Sequence, residues 1–567
     1  MPFEKLLNQV IEEYGHYKTI FGVPEKYFYR GNKSDPLQLS GERLGLPLGP
    51  AAGPHTQMAQ NLAAAYLTGG RFFELKTVQI LDELQFPKPC IYAYDEGYNT
   101  EWSTELSIED AFDEYVKGWF LIHFIALEIF GRQDRDFIFN MSVGYDLKGI
   151  QSPKVDCFIE GIKDAGQSEA FEKCKIVLRG SLDRFKKVNQ DYIENISPNI
   201  GCSIALSTMH GCPPAEIEAI CKYLLREKGL HVHVKLNPTL LGFDFVRQTC
   251  DQMGYGYLKP AEAAFREDLA YDEALPLLQR LTAAAGECGK EFGVKLSNTL
   301  PVEITGGELP GEQMYLSGRP LYPLTINLAS RLAGAFKGRL PISYSGGADR
   351  NNFGEILQTG IKPVTMVTTL LKPAGYQRMK KLAEIAETAA ATSPEDIDLE
   401  RLKQLAGKSV SESTYQKQKK KGVSSKEFIP LPLFDCRASC VICAAVCPNR
   451  ANVVLKVKDE AYQYDQQILH LDYFCNECGN CATFCPEAGK PYLEKPTLFS
   501  SEADFYNSSN QGYYYEKADT ELKIIRRVEG EVKQMPAAKP DKAGGSDLEK
   551  AFNRLIRLVE ERYAYLL

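Results

Sequence analysis

The stretch GCSIALSTMHGCPPAEIEAICKYLLREKGLHVHVKL, residues 201–236, decides the fold. It opens with a continuous apolar run, GCSIALS (201–207), and closes with another, HVHVKL (231–236); an amphipathic stretch, PAEIEAICKYLLREKG, lies between them. Apolar runs without alternation are those of strands covered on both faces, and a helix between two of them makes a parallel β-α-β unit. The same pattern recurs outward in both directions. Further runs are LPLGPAAG (46–53), FFELKTV (72–78), DFIFNMSV (136–143), FGVKLS (292–297), LPISYSGG (340–347) and PVTMVTT (363–369). With the two already quoted, these give eight strands, and eight such units predict an α/β chain whose main part is a (β/α)8 TIM barrel. A doubly wound open sheet is the competing architecture, but no G-x-G-x-x-G follows the first strand.

Bulk properties bound the rest. A chain of 567 residues exceeds one ordinary domain. The formal charge of −8 argues against nucleic acid or an anionic membrane as a partner. The longest apolar run, GWFLIHFIALEIFG (118–131), is too short to span a bilayer and contains His123 and Glu128. The N-terminal MPFEKLLNQVIEEYG lacks the basic start and apolar block of a signal peptide, so a cytoplasmic location is expected. Sixteen cysteines in that compartment are not a disulfide framework.

Eight of them fall in one segment. CRASCVICAAVCP supplies Cys436, Cys440, Cys443 and Cys447; CNECGNCATFCP supplies Cys475, Cys478, Cys481 and Cys485. The second is the C-x2-C-x2-C-x3-C-P ligand run of bacterial ferredoxins, and the first has one extra residue after its first cysteine. Three thiolates of each run converge on one iron–sulfur cube, and the fourth, ahead of proline, reaches the other. Cys436, Cys440, Cys443 and Cys485 are therefore expected on one [4Fe–4S] cluster, and Cys475, Cys478, Cys481 and Cys447 on the second. Two zinc sites are the alternative, although zinc knuckles pair C-x2-C units instead. Residues 431–490 resemble two-cluster ferredoxins. The other cysteines are scattered as small apolar side chains, with Cys212 alone in a chemically suggestive neighbourhood.

These readings divide the chain into an N-terminal helical extension (1–45), the barrel (46–400), a basic linker (401–430), a small α+β ferredoxin-like domain (431–490) and a C-terminal arm with an amphipathic helix (491–567). Ser393 and Pro394 are expected to open a helix at the end of the barrel, and Ser546 to cap the last one. The linker carries Lys417, Lys419, Lys420 and Lys421, a solvated face or a docking surface for an acidic partner. The arm, with DFYNSSNQGYYY, reads as irregular.

Short polar motifs end the barrel strands, where such a fold builds its site: AAGP, LKT, FNMS, LSTMHG, KLNP, LSNT, SGGAD and VTT. Each is weak alone. Together, over roughly residues 40–380, they resemble the dihydroorotate dehydrogenase superfamily, and most of all the flavin domain of dihydropyrimidine dehydrogenase. The resemblance implies FMN across the barrel mouth. It assigns Ala52 and Gly53 to a close backbone approach to the flavin, Lys76, Thr77, Asn140 and Lys235 to its polar edge, and Thr299 beside it. Gly318, Gly346, Gly347, Thr368 and Thr369 fall at the FMN phosphate, where glycine amides and hydroxyls hold an anion without arginine. Asn99, Asn237 and Asn298 are candidate partners for a substrate's lactam groups, since an amide both donates and accepts.

The strand-four loop carries the family's proton donor. LSTMHG places Thr208 at that position with His210 nearby; HGCPP makes Cys212 the alternative, and a tight turn ended by Pro213 and Pro214 is the chemically silent one. Ala205 departs from the family's asparagine and Met209 from its proline. The whole chain also resembles a bacterial oxidoreductase family named for selenate reductase and found with anaerobic purine-breakdown enzymes; selenate is not adopted as substrate. The expectation is an iron–sulfur flavoprotein that passes electrons to or from a nucleobase-like heterocycle, either an oxidised purine such as urate or xanthine or a pyrimidine. The contrasting class is an electron-transfer scaffold without catalysis. Longer members of the family carry an FAD/NAD(P) module, so the expected partner is an FAD/NAD(P)H-binding subunit like the small subunit of glutamate synthase. A molybdenum hydroxylase of the xanthine dehydrogenase type is a further partner the resemblance implies.

Overall fold

The computed structural model describes residues 1–31, 36–208, 210–417, 428–518, 521–535 and 546–567. The chain forms two compact units, one of residues 27–370 and 376–422, the other of 1–26, 371–375 and 423–567.

The larger unit is the barrel. Its strands are β1 Leu48–Pro50, β2 Phe72–Glu74, β3 Ile138–Gly144, β4 Ser203–Ser207, β5 His231–Leu236, β6 Phe292–Leu296, β7 Ile342–Tyr344 and β8 Val364–Met366. Each falls on a run read from the sequence, β3 reaching one residue beyond its run at Gly144. They pair in the order β1-β8-β7-β6-β5-β4-β3-β2, all parallel. The ends of that order meet where the Arg71 amide donates to Leu48 O at 2.8 Å. Gly49 makes the approach feasible, because a Cβ there would stand 1.5 Å from Phe72 O. Below the closure, the buried Arg71 guanidinium donates to Asp136 (2.8 Å) and to the carbonyls of Tyr66 and Gly70.

The run 118–131 is no membrane segment. It completes helix Ile108–Phe124 and a following π-turn, with Trp119, Phe120 and Ile122 fully buried. Burial pushes His123 down to about 3, so it is neutral there, and Glu128 accepts the amides of Lys186, Lys187 and Val188. Among the described residues no helix is long and apolar enough to cross a membrane.

Two expectations at the barrel's end are corrected. The helix there starts at Leu399, with the Asp398 side chain accepting from Arg401 N, so the cap is Asp398 and not Ser393. Residues 401–417 are not an open linker either. Helix Leu399–Ser409 buries Leu402, Leu405 and Ala406, and Tyr415 stacks near Tyr322 at 4.4 Å. Lys417 pairs with Asp95 (3.2 Å) and Glu96. Polar composition hid one apolar stripe. Lys419, Lys420 and Lys421 lie outside the described residues.

The second unit holds a six-stranded mixed sheet: β9 Asn452–Lys456, β10 Gln466–Leu471, β11 Thr497–Phe499, β12 Gly512–Ala518, β13 Glu521–Val528 and β14 Glu531–Met535. The expected irregular arm is thus largely sheet, with β12–β14 a meander whose buried residues include Tyr513, Ile524 and Ile525. Helix Asp547–Arg562 is capped by Ser546 in a box with Glu549, as read from the sequence. Its face of Phe552, Leu555, Ile556 and Val559 is buried within this unit, Phe552 against Tyr513 and Phe434. The N-terminal helix Phe3–Tyr17 belongs to the same unit, with Tyr17 stacked on Tyr563 at 5.0 Å.

Barrel closure through Gly49 gives a direct test. Gly49→Ala forces β1 from β2 and should cost more than about 3 kcal/mol, seen as a large drop in thermal midpoint or loss of soluble protein. Gly407→Ala, in a helix interior with open space around it, should instead gain about 0.5–1 kcal/mol.

Candidate functional site

The barrel interior toward the strand C-termini is polar. Lys295 on β6 pairs with Glu74 on β2, and its ammonium also donates to Thr365 (2.6 Å) and Ser343 (3.2 Å). Burial pushes the Glu74 carboxyl up, but Lys295 and Lys235 outweigh it and hold it below the usual carboxylate range. The other Glu74 oxygen accepts the Ala52 amide at 3.4 Å, which ties the AAG loop to the interior. Neither Glu74 nor Lys295 was singled out in the sequence; a lysine in the apolar run FGVKLS was the available signal.

Lys235 on β5 donates to Ser142 (2.7 Å) and Thr77 (3.3 Å), which also bond each other at 2.7 Å. Burial drives its ammonium down to about 8, with Lys295 and Lys76 adding to the effect and Glu74 opposing it. Lys76 is buried against Glu101 at 2.8 Å. Asn140 sits in the interior layer, its amide engaged with Ser203 (2.7 Å) and Met141 O. Cys90, Glu101 and Glu105 bring their ligand atoms within 4.8 Å of one another, but the ammoniums of Lys76 and Lys88 pair with the two carboxylates.

The strand-four and strand-five loops meet. Thr208, Cys212, Lys235, Asn237, Thr239 and Asp268 line one small cavity. His210 Nδ1 lies 2.9 Å from Asp268 Oδ1. Asn237 donates to Asp268 (2.9 Å) and accepts from Asn298 Nδ2 (2.8 Å). Burial, then Glu216 and Asp146, push the Cys212 thiol up to about 11, so it is a thiol and not a thiolate at neutral pH. Asn99 lies apart from these, on a small antiparallel sheet, opposite Tyr315; Tyr315's ring runs parallel to that of His210. Thr299 is half-buried between β6 and that sheet. Asp268 carries no sequence signal, standing in a charged segment between two helices.

Glycines and hydroxyls converge elsewhere on the mouth. A Cβ on Gly346 would meet Thr325 Oγ1 at 1.9 Å, and one on Gly347 would meet Gly318 O at 2.6 Å and Tyr322 N at 2.7 Å. Gly318 and Gly347 have φ of +76° and +73°, the left-handed region that favours glycine. Ser317 and Thr368 share a hydrogen bond of 2.8 Å, and Thr369 donates to Ala348 O. With the first turn of helix Leu321–Ala335 beside them, these groups offer amides and hydroxyls to an anion.

In the second unit, Cys447, Cys475, Cys478 and Cys481 line one cavity together with His470 and Tyr492. Amides point at two of these sulfurs, Ala451 N to Cys447 (3.2 Å) and Glu477 N to Cys475 (3.3 Å). Burial pushes the Cys485 thiol up, and the charges of Cys436 and Cys440 add to that rise. The fourth cysteine of the first run therefore stands with the first three of the second.

A parallel barrel with a polar mouth at its strand C-termini is the architecture of a (β/α)8-barrel enzyme. Residues 21–417 match the profile of the family described as oxidoreductase YgfK, N-terminal TIM-barrel domain, and the chain belongs to that family. It is 46% identical over 460 residues to proteins of Escherichia coli K12 and O157:H7, each named "Putative oxidoreductase YgfK". That match covers 79% of this chain and 44% of each relative, so the chain spans less than half the length of those curated relatives. A solved structure, the ligand-free type DHODH from Eimeria tenella, aligns with a TM-score of 0.40 and 16% identity, over 66% of this chain and 94% of that one.

Lys235 yields a stability prediction. Its native pKa, about 8, is below the usual 10.5. Below pH about 8 the charge is buried at full cost; between about 8 and 10.5 the native state releases the proton first, so stability rises with pH through that window. Lys235→Met should raise cofactor-free stability at neutral pH by about 2 kcal/mol. It should also flatten the gain between neutral and alkaline pH, both read by denaturant titration.

Proposed function

We propose that this chain is an iron–sulfur flavoprotein oxidoreductase. It moves electrons through two [4Fe–4S] clusters and FMN to a nucleobase-like heterocycle, an oxidised purine such as urate or xanthine or a pyrimidine, in the reductive direction. The observation that carries the reading is the cavity where Cys447 of the first run meets Cys475, Cys478 and Cys481 of the second. That crossing is the ligand exchange of two-cluster ferredoxins, and amide donors to the sulfurs suit an anionic cluster.

The barrel residues fit FMN. Gly318, Gly346, Gly347, Thr368 and Thr369 would hold its phosphate with amides and hydroxyls, on a backbone packed too closely at the three glycines to admit a Cβ. Ala52 and Gly53 would lie under the ring, with Lys76, Thr77 and Lys235 toward its polar edge. FMN, when bound, gathers single electrons and exchanges a hydride with carbon. The protein's part is to place the heterocycle and supply the proton. The loop of Thr208, His210 and Cys212 brings the proton, and Asn298 and Asn237 face the substrate's amide-like edge.

Electrons are proposed to arrive from an FAD/NAD(P)H-binding partner of the glutamate synthase small-subunit type, with a molybdenum hydroxylase of the xanthine dehydrogenase type as a second exchange partner. The scaffold reading keeps one observation in its favour: Ala205, buried on β4, stands where the family carries asparagine.

Anaerobically purified protein should contain about eight irons and eight sulfides, from two four-iron clusters, and one FMN. Zinc in place of iron would sink the reading. Cys447→Ser should damage the cluster of Cys475, Cys478 and Cys481 and leave the other, as counted by electron paramagnetic resonance after dithionite. After photoreduction, one nucleobase of a panel should reoxidise the flavin. A flavin that none reoxidises leaves the scaffold.

A further inference from the structure

Asp268 is the most heavily used acceptor at the barrel mouth, and no strand-end motif contains it. It follows helix Glu262–Glu267 and precedes helix Tyr271–Glu287, and its side chain is 5% exposed. Oδ1 takes His210 Nδ1 at 2.9 Å and the Gly211 amide at 3.2 Å. Oδ2 takes Asn237 Nδ2 at 2.9 Å and the Thr239 hydroxyl at 2.8 Å, and lies 3.0 Å from His210 Nδ1.

We propose that Asp268 is a positioning residue that fixes His210 as the Nδ1–H imidazole, so that His210 Nε2 exchanges the proton with the substrate. The proposal rests on the heterocycle-reducing reading above. The Gly211 amide and the Asn237 amide group can only donate where they meet Asp268, and a carboxylate facing several donors stays ionised. An ionised carboxylate only accepts, so the atom it meets on His210 must bear hydrogen. That leaves Nε2, on the far side of the ring, to gain and lose the proton, as an aspartate does for the histidine of a hydrolase triad.

An exposed ion pair would leave His210 loosely placed. His210 is itself 35% exposed, but the carboxylate that holds it is 5% exposed and three of its four donors are uncharged. The ring also runs parallel to Tyr315, 5° between planes, and Asn237 passes the network on to Asn298 at 2.8 Å. One carboxylate therefore sets the loops after β4, β5 and β6 together. Thr208 and Cys212, on the same loop as His210, line one cavity with Asp268. In the step, the Nε2–H bond of the imidazolium breaks and a bond from that proton to a substrate ring atom forms. The proton takes the π electron pair freed when the hydride of the reading above adds to the neighbouring ring atom, and the neutral imidazole regains its proton from water.

The test uses full-length protein labelled with 15N-histidine, oxidised and without substrate, with the His210 signals identified by their loss in His210→Gln. The parent's neutral ring should show Nδ1 protonated, and Asp268→Asn, whose amide can donate, should shift it to Nε2–H. Asp268→Asn and His210→Gln should lower kcat for heterocycle-dependent flavin reoxidation by about 10²-fold or more, with iron and FMN content unchanged, and Asp268→Glu should restore part of it. A parent ring already protonated at Nε2, or an Asp268→Asn protein that turns over like the parent, overturns the proposal. The parent's tautomer is read even if Asp268→Asn fails to fold. If the tautomer is as stated but no heterocycle reoxidises the parent, it is the function reading that fails.

Discussion

The pairing of Lys295 with Glu74 inside the barrel is the contact on which the mouth depends. Ionised groups are costly to bury, and such a pair holds only where further hydrogen bonds satisfy it. Here Thr365 and Ser343 supply them, and the second Glu74 oxygen turns upward to the Ala52 amide. One ion pair thus joins strands β2, β6, β7 and β8 and orients the loop after β1. Among the described residues, the neighbouring Lys235 donates to hydroxyls and not to a carboxylate, so its proton is held loosely. A barrel that needed only stability would fill this layer with branched aliphatics. Charge here costs stability and leaves a mouth whose polar groups are already aimed.

Most of the fold was legible because a parallel strand covered on both faces writes itself into the sequence as an unbroken apolar run. All eight barrel strands answered to that rule. The meander β12–β14 did not, because charges interrupt the apolar residues of YYYEKA and ELKIIRRV and leave no unbroken run. Helix Leu399–Ser409 was missed for a similar reason: three apolar positions in a lysine-rich stretch carry all its packing.

The site was legible in outline and not in its wiring. The strand-end motifs put Thr208, Cys212, Lys235 and Asn237 within one sequence-derived set, and the structure brings those four to one cavity. Asn140 was read from the same rule and Asn99 as a lactam partner, yet Asn99 lies on an accessory sheet and Asn140 is engaged lower in the interior. Strand position gives a height along the barrel, but not which neighbour claims the side chain. Asp268 meets His210 across 58 residues, and Lys295 meets Glu74 across 221. No local pattern encodes contacts at such separations.

The second unit draws on both early and late parts of the chain. Arg450, between the two cysteine runs, donates to Phe21 O at 2.8 Å and to Ala444 O at 2.9 Å, and Tyr17 reaches the carbonyl of Arg562. During synthesis, the first two dozen residues therefore leave the ribosome hundreds of residues before their partners exist. The barrel, whose segments run from 27 to 422, has everything it needs earlier. Folding domain by domain then makes the barrel first and leaves the opening helix waiting. The cysteine-rich unit, which draws on residues up to 567, is therefore completed after the barrel.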